Sequence, residues 1–255
     1  NVGKICMVKG LDRFREFLKG FEGQYVLIGG AACDILFASN EGQFRATRDL
    51  DMVLIVEALT SEFGEKFWEF IEAGKYRNKA TNAGRPQFYR FDKPENDSYP
   101  KMIELFARTD FKLKEMNGLT PIHIDDEVSS LSAILLDEDY YAALLSGMVV
   151  VNGLSVLRPE YLLLFKAKAF LDLSERKTKG DHVNSRDIKK HKNDILRIAT
   201  EFVLEKIEEL PESIHIDMKS FVEKLNDEPF EKNLLKGYGL SNTDVLVRLQ
   251  QLYLE

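Results

Sequence analysis

Cysteine, histidine and tryptophan are scarce in this sequence, and long apolar runs are absent. The 255 residues include two cysteines, four histidines and one tryptophan. Cys6 and Cys33 make no disulfide framework, and no spacing of histidine and cysteine predicts a zinc site. No apolar run reaches the roughly 18 residues needed to span a membrane, and the first residues lack a signal-peptide pattern. We therefore expect a cytoplasmic protein with reduced thiols and no membrane partner.

Positive charge is concentrated in one segment of an otherwise acidic chain. The net charge is −7, so we do not expect the whole chain to wrap nucleic acid. Residues 166–197, however, hold ten Lys and Arg against five Asp and Glu. A basic patch on an acidic protein suits a phosphate-bearing ligand, and a solvated helical face is the alternative interpretation.

The hydrophobic pattern changes near residue 156. Before it, strand-like runs such as "QYVLIGG", "RATRDLDMVLIVE", "RPQFYRFDKP" and "YPKMIELFAR" are mixed with helical segments, and Asn152-Gly153 predicts a hairpin turn. After it, helical periodicity dominates. We predict an α/β fold, with a mixed-sheet domain over residues 1–156 and a C-terminal helical domain over residues 157–255.

Several helices have recognisable ends. The patterns predict helices over 9–22, over "AACDILFA", from a cap at Thr60 to Gly74, from Pro159 onward, and after a cap at Ser185. The segment "AILLDEDYYAALLSG" is typical of a strand followed by a helix. Two further helices are expected over "DMKSFVEKLND" and "NTDVLVRLQQLYLE".

Three carboxylates interrupt apolar strands. Side chains alternate along a strand, so Asp49 and Asp51 point to one face, roughly 7 Å apart along the chain. Two like charges at this distance repel, and a divalent cation such as Mg²⁺ removes the repulsion. Glu104 interrupts "KMIELFA", and if its strand pairs beside the Asp strand, the three carboxylates converge. Such a group suits two metals and an in-line displacement at phosphorus.

Gly29 and Gly30 lie between the first strand and the next helix. Glycines at this position let the backbone approach a ligand closely, and the start of the following helix favours a phosphate. A plain tight turn is the alternative.

These residues together resemble the DNA polymerase β-like nucleotidyltransferase superfamily, in which Gly-Gly precedes a separated Asp-x-Asp and a later acidic residue. The stretch "RATRDLD" is similar to the AbiEii branch, whose members include toxins of abortive-infection and toxin–antitoxin pairs. "FKAKAFLDLSERKTKGDHVNSRDIKKHKNDILRI" resembles the same branch, in which a lysine is followed, after a basic loop, by an aspartate.

The resemblance implies a metal-dependent nucleotidyltransferase that moves a nucleoside monophosphate from an NTP to a hydroxyl. Mg²⁺ or Mn²⁺ is the expected cofactor, and an RNA end, a protein or a small molecule is the acceptor. A paired antitoxin is a further expected partner. A catalytically inactive protein that binds a nucleotide or a partner is the alternative.

The site residues expected from the pattern and the resemblance fall into two sets. Catalytic and metal-binding roles fall to Asp49, Asp51 and Glu104. Nucleotide-binding roles fall to Gly29, Gly30, Arg45, Thr47, Lys166, Lys168, Asp187 and Lys190. Lys166 and Lys168 are two residues apart on a helix and cannot reach the same point, so we expect one of them to extend into solvent. The other, with Lys190, is expected to face the carboxylates across a cleft between the domains.

Overall fold

The computed structural model describes residues 8–39, 49–80, 87–108, 131 and 133–255. The chain divides into two compact units. The first contains the described residues up to 108 together with Met148–Arg158, and the second contains those between 131 and 147 together with Pro159–Glu255. The segment that precedes the hairpin thus belongs with the helical unit, although the sequence pattern placed it with the sheet.

A seven-stranded mixed sheet forms the first unit, and the predicted α/β class is confirmed. The strands are β1 Tyr25–Ile28, β2 Asp49–Leu54, β3 Arg77–Ala80, β4 Gln87–Asp92, β5 Met102–Ala107, β6 Met148–Val151 and β7 Leu154–Leu157. Their spatial order is β3-β4-β5-β2-β1-β7-β6. Parallel pairs join β2 to β5 and β1 to β7, and the other neighbours are antiparallel.

Nine α-helices lie in the described residues. Those of the first unit are α1 Leu11–Phe17, α2 Gly29–Ser39 and α3 Ser61–Gly74. Those of the second are α4 Glu138–Ser146, α5 Pro159–Thr178, α6 Ser185–Glu201, α7 Glu212–Asp227, α8 Lys232–Tyr238 and α9 Asn242–Tyr253. Among the described helices, none combines the length and the apolar character that crossing a membrane requires.

One face of the sheet packs against helix α3 and forms the core of the first unit. Leu50, Met52 and Leu54 alternate onto this face and are fully buried. The Phe67 ring of α3 lies 5.7 Å from that of Phe91, edge to face. The side chains of β2 that alternate with these, beginning with Asp49, therefore lie on the opposite face.

Several predicted helix ends differ from the structure. The helix predicted over 9–22 covers only Leu11–Phe17, and the chain then turns through Gly20, whose φ is 90°. Asn184, not Ser185, caps α6, because its side chain accepts the Arg186 backbone N–H. The described residues just before α4 form a helical turn, so the strand predicted there is wrong.

Candidate active site

Strand pairing places the three predicted carboxylates on one face of the sheet. β2 and β5 are parallel neighbours, and Asp51 lies directly opposite Glu104. Asp49 lies opposite Met102, one row nearer the start of both strands. Partners in register share a face, and so do residues two apart on one strand. Asp49 and Asp51 are partly exposed, whereas Val53 further along the same face is buried. The pairing of the two strands confirms the condition on which the predicted convergence depended.

Gly29 allows the Asp51 carboxylate to lie against the beginning of α2. A Cβ atom added to Gly29 would lie 2.2 Å from Asp51 Oδ2, well inside van der Waals contact. Gly29 also has a φ of 65°, which glycine adopts without penalty. The missing side chain thus makes room for a carboxylate of the protein itself. The Asp51 carboxylate thus lies beside the N-terminal end of a helix, which carries partial positive charge.

Arg90 binds Glu104, a contact that the sequence analysis did not foresee. β4 pairs with β5 so that Arg90 lies opposite Glu104. The Nε and Nη2 atoms of Arg90 lie 2.7 and 2.5 Å from Glu104 Oε1. The two side chains are only 20% and 12% exposed. The sequence does carry a signal for Arg90, because this charged residue interrupts the strand-like run "QFYRFD" just as Glu104 interrupts "KMIELFA".

A second arginine–carboxylate pair lies one row away. Arg77 on β3 lies opposite Asp92 on β4, and its Nε and Nη2 atoms are 3.1 and 3.0 Å from Asp92 Oδ1. The Arg77 side chain is 53% exposed, so water weakens this pair far more than the pair at Arg90.

The donor set on this face fits a divalent cation bound by two aspartates. Mg²⁺ typically takes one or two carboxylates and completes its shell with waters and phosphate oxygens, and Asp49 with Asp51 provides such a pair. Across the described residues, no three His, Cys, Asp or Glu side chains come together as a ready-made metal site. The structure therefore offers a site that a nucleotide would complete, and the assignment of metal ligands stays a prediction.

Two of the predicted nucleotide-binding residues, Arg45 and Thr47, lie outside the described residues. Gly30 is the second residue of α2 and is half-buried. The two glycines are thus the first residues of the helix, whereas the alternative interpretation had placed them in a tight turn.

The predicted lysines form ion pairs within the helical unit. Lys166 of α5 binds Asp194 of α6 at 2.9 Å, and both side chains are almost fully buried. Lys168 binds Asp217 of α7, with its Nζ 3.1 Å from Oδ1 and 3.0 Å from Oδ2. The two amines thus reach different carboxylates, as their spacing predicted. The expectation that one of them extends into solvent is wrong.

The other two predicted residues of this unit lie on α6. Asp187 is in its first turn, and Lys190 is half-buried one turn further on. The carboxylate that Lys166 contacts is that of Asp194, which belongs to the same "KKHKND" run. That these lysines and Asp187 bind a nucleotide, and that the lysines face the carboxylates of the sheet, stays a prediction.

The amine of Lys168 is the centre of a partly buried polar network. Burial lowers the pKa of Lys168, but the hydrogen bond to Asp217 and the attraction to Asp172 outweigh burial, so the pKa lies above its ordinary value. Burial also raises the pKa of Asp172, only partly offset by Lys168. The Tyr140 hydroxyl donates to Asp217 at 2.9 Å. This network joins α4 to α5 and α7.

Comparisons with known proteins give only distant structural likenesses. No protein-family model matches the chain, and no curated protein matches it. An antigenic nucleotidyltransferase-like protein from Paracoccidioides brasiliensis has a solved structure that is similar at 14% identity and a TM-score of 0.37. The match covers 86% of this chain and 87% of that chain.

Proposed function

We propose that this protein is a metal-dependent nucleotidyltransferase whose site is the row of carboxylates on the sheet. The observation that carries the proposal is the register of β2 and β5, which sets Asp51 opposite Glu104 with Asp49 on the same face. Acidic side chains gathered on one partly exposed sheet face repel one another, and a bound divalent cation would relieve that repulsion.

In this proposal Asp49 and Asp51 hold Mg²⁺ or Mn²⁺, which neutralises triphosphate charge and favours ionisation of the attacking hydroxyl. The acceptor oxygen attacks the α-phosphorus of the NTP, the bond from that phosphorus to the bridging oxygen breaks, and pyrophosphate leaves. The hydroxyl proton passes to a base, for which Glu104 is one candidate. The Asp51 carboxylate lies at the start of α2, where the helix dipole attracts a negative charge.

The acceptor and the biological setting follow from the resemblance of "RATRDLD" and of the basic helical segment to the AbiEii branch. On that basis the acceptor is an RNA end, a protein or a small molecule with a hydroxyl group. The same resemblance supports a toxin that is neutralised by a paired antitoxin. Growth arrest on expression, relieved by a gene encoded beside it, would test this part of the proposal.

The alternative is a protein that binds a nucleotide or a partner without catalysis. One observation favours it: Glu104 already has a cationic partner, Arg90, at hydrogen-bonding distance. The two functions differ in one observable, since the alternative predicts saturable nucleotide binding without covalent transfer to any acceptor.

The test is an acceptor screen with the full chain, Mg²⁺ and each of the four α-labelled NTPs. Total RNA, lysate protein and a set of small hydroxyl compounds are offered separately. We expect label in one acceptor class, and we expect no label in any class when Mg²⁺ is replaced by EDTA. Nucleotide binding without label in any class would support the alternative instead.

A further inference from the structure

Arg90, Glu104 and Asp51 form one continuous row across three neighbouring strands. Arg90 lies opposite Glu104, and Glu104 lies opposite Asp51. The row therefore places a guanidinium and then two carboxylates on the same face. Arg90 is two strands from Asp51 and is the cation that this register brings into line with it.

The fold itself gains little from this ion pair. Taking a guanidinium and a carboxylate out of water costs about as much as their attraction returns, and apolar residues of similar size often serve a fold equally well. Arg77 and Asp92 form a less costly pair on the neighbouring strands β3 and β4, because Arg77 remains 53% exposed. The pair at Arg90 and Glu104 is more buried, and it lies in the row that contains Asp51.

An arginine guanidinium can supply a second positive charge at a site that binds phosphate. It stays ionised at all relevant pH values and presents N–H donors in a fixed plane that matches phosphate oxygens. Its charge also lies beside a carboxylate that would otherwise add to the repulsion at Asp51. A second metal ion at Glu104 would have to displace Arg90 and leave its charge without that partner.

We propose that Arg90 supplies the second positive charge of the site in place of a second metal ion. Glu104 is then a positioning residue that holds Arg90, and a single divalent cation binds through Asp49 and Asp51. Arg90 binds the phosphates of the nucleotide. This inference rests on the proposed function, and it replaces the two-metal arrangement that the three carboxylates suggest by themselves.

The test measures Mn²⁺ binding to the full chain without nucleotide, by electron paramagnetic resonance and calorimetry. The wild-type chain should bind one Mn²⁺. Arg90→Gln removes a positive charge close to the aspartates, so Mn²⁺ affinity should rise at least about fivefold. Arg90→Lys keeps the charge and should stay within about twofold of the wild type. Arg90→Gln combined with Glu104→Gln removes both charges of the pair and should return the affinity close to the wild-type value.

Arg77→Gln is the matched control. Like Arg90→Gln, it removes an arginine that is paired with a carboxylate, here on the neighbouring strands β3 and β4. Because Arg77 is exposed, the change should leave Mn²⁺ affinity within about twofold of the wild type. Thermal unfolding followed by circular dichroism checks that each variant is folded. If Arg90→Gln does not fold, the comparison of Arg90→Lys with Glu104→Gln carries the test, because Glu104→Gln should still bind one Mn²⁺.

A second readout is the affinity for a non-hydrolysable NTP analogue with saturating Mn²⁺. Arg90→Gln should weaken it by about tenfold and Arg90→Lys by less, since lysine keeps a charge but not the planar fork. The inference is overturned if wild type binds two Mn²⁺ and Glu104→Gln loses one. It is equally overturned if Arg90→Gln leaves both affinities unchanged, or if no variant binds Mn²⁺.

These measurements do not require turnover. If the acceptor screen finds no transfer while the affinities for Mn²⁺ and the NTP analogue change as expected, the site inference holds and the transferase proposal fails. Should transfer occur while Arg90→Gln is indistinguishable from wild type, the transferase proposal holds and the inference fails.

Discussion

Gly29 shapes the acidic site through the side chain that it lacks. The Asp51 carboxylate lies where a Cβ atom of residue 29 would be, and the φ of 65° is one that other residues adopt only with strain. A side chain at residue 29 would therefore meet both backbone strain and a clash with Asp51, whereas a side chain at Gly20 would meet only backbone strain.

We expect Gly29→Ala to lower the free energy of unfolding by about 2–5 kcal/mol, from left-handed strain plus overpacking against Asp51. It should also weaken Mn²⁺ binding, since the carboxylate must move. Gly20→Ala is the control, because Gly20 has a φ of 90° but no atom within 4 Å of an added Cβ. That change should cost only about 1–2 kcal/mol. Equal losses in urea denaturation would show that the Asp51 contact is unimportant.

Sequence reasoning reached the three carboxylates but missed the residue that binds one of them. Asp49, Asp51 and Glu104 stand out because charge interrupts apolar alternation, and the observed pairing of β2 with β5 agrees with that interpretation. Arg90 carries the same signal, yet its partner depends on which strand lies beside β5. Long-range strand order is decided by the whole sheet and is not encoded in any local pattern.

Helices α5 and α6 are joined by the buried ion pair between Lys166 and Asp194. Their side chains are 10% and 7% exposed. Losing one member of such a pair leaves an uncompensated charge, which is far more costly than losing both. The two helices thus depend on the pair as a unit.

Lys166→Met should lower the free energy of unfolding by about 3–5 kcal/mol, whereas Lys166→Met with Asp194→Leu should recover most of that loss. Chemical denaturation of the double-mutant cycle measures the coupling. Lys179→Met, just after the end of the same helix, is the control. Its pair with Glu175 is 69% and 61% exposed, and we expect no measurable change. Additive losses from the two single substitutions would contradict a tightly coupled pair.

The network around Lys168 predicts an unusual pH dependence at Asp172. Burial holds the Asp172 pKa above its ordinary value, so its charged form weakens the fold at neutral pH. That penalty disappears as the pH falls through the folded-state pKa. Asp172→Asn should therefore stabilise the protein at pH 7, and the gain should shrink to zero below the unfolded pKa of about 3.9.

Glu175→Gln, on the same helix, should lack the gain in stability at pH 7 that we expect of Asp172→Asn. Its hydrogen bond from Lys179 lowers the Glu175 pKa, so this carboxylate stabilises the fold above its unfolded pKa and the substitution should not stabilise at pH 7. Thermal unfolding from pH 3 to 8 measures both variants. A gain for Asp172→Asn that persists at pH 3 would exclude the electrostatic explanation.

Local chemistry predicted several element boundaries well, and short elements poorly. The Thr60 cap accepts the Phe63 backbone N–H as expected. Asn152 and Gly153 both adopt positive φ at the hairpin turn. The strand Arg77–Ala80 and the helix Lys232–Tyr238 were missed, because pieces of four and seven residues are held by their neighbours rather than by their own periodicity.

At the scale of the whole molecule, the chain leaves the sheet unit before the hairpin and returns to it with Met148–Arg158. The sequence change at 156 is close to the final departure at Pro159. The earlier excursion was not predicted, because α4 has no compositional boundary and is held to the helical unit by contacts such as that of Tyr140 with Asp217.

The uneven charge of the molecule predicts how an RNA acceptor would bind. Of the ten basic residues in 166–197, the amines of Lys166 and Lys168 bind carboxylates and that of Lys192 binds two backbone carbonyls. We therefore allow only a few phosphate contacts, and log K should fall with log salt at a slope of about −2 to −4. Transfer to RNA measured from low to high salt checks this. A salt-independent rate would favour a small-molecule acceptor.

The proposed function requires Asp49 and Asp51 for transfer of a nucleoside monophosphate. The most direct measurement compares α-labelled with γ-labelled NTP, offered with Mg²⁺ and the acceptor class that the screen identifies. We expect acceptor label only from the α position, with one pyrophosphate released per transfer. We expect no label with Asp49→Asn plus Asp51→Asn, a variant that should remain folded because asparagine keeps the size and shape of aspartate. Label from the γ position, or full transfer by the folded double variant, would show that the proposed function is wrong.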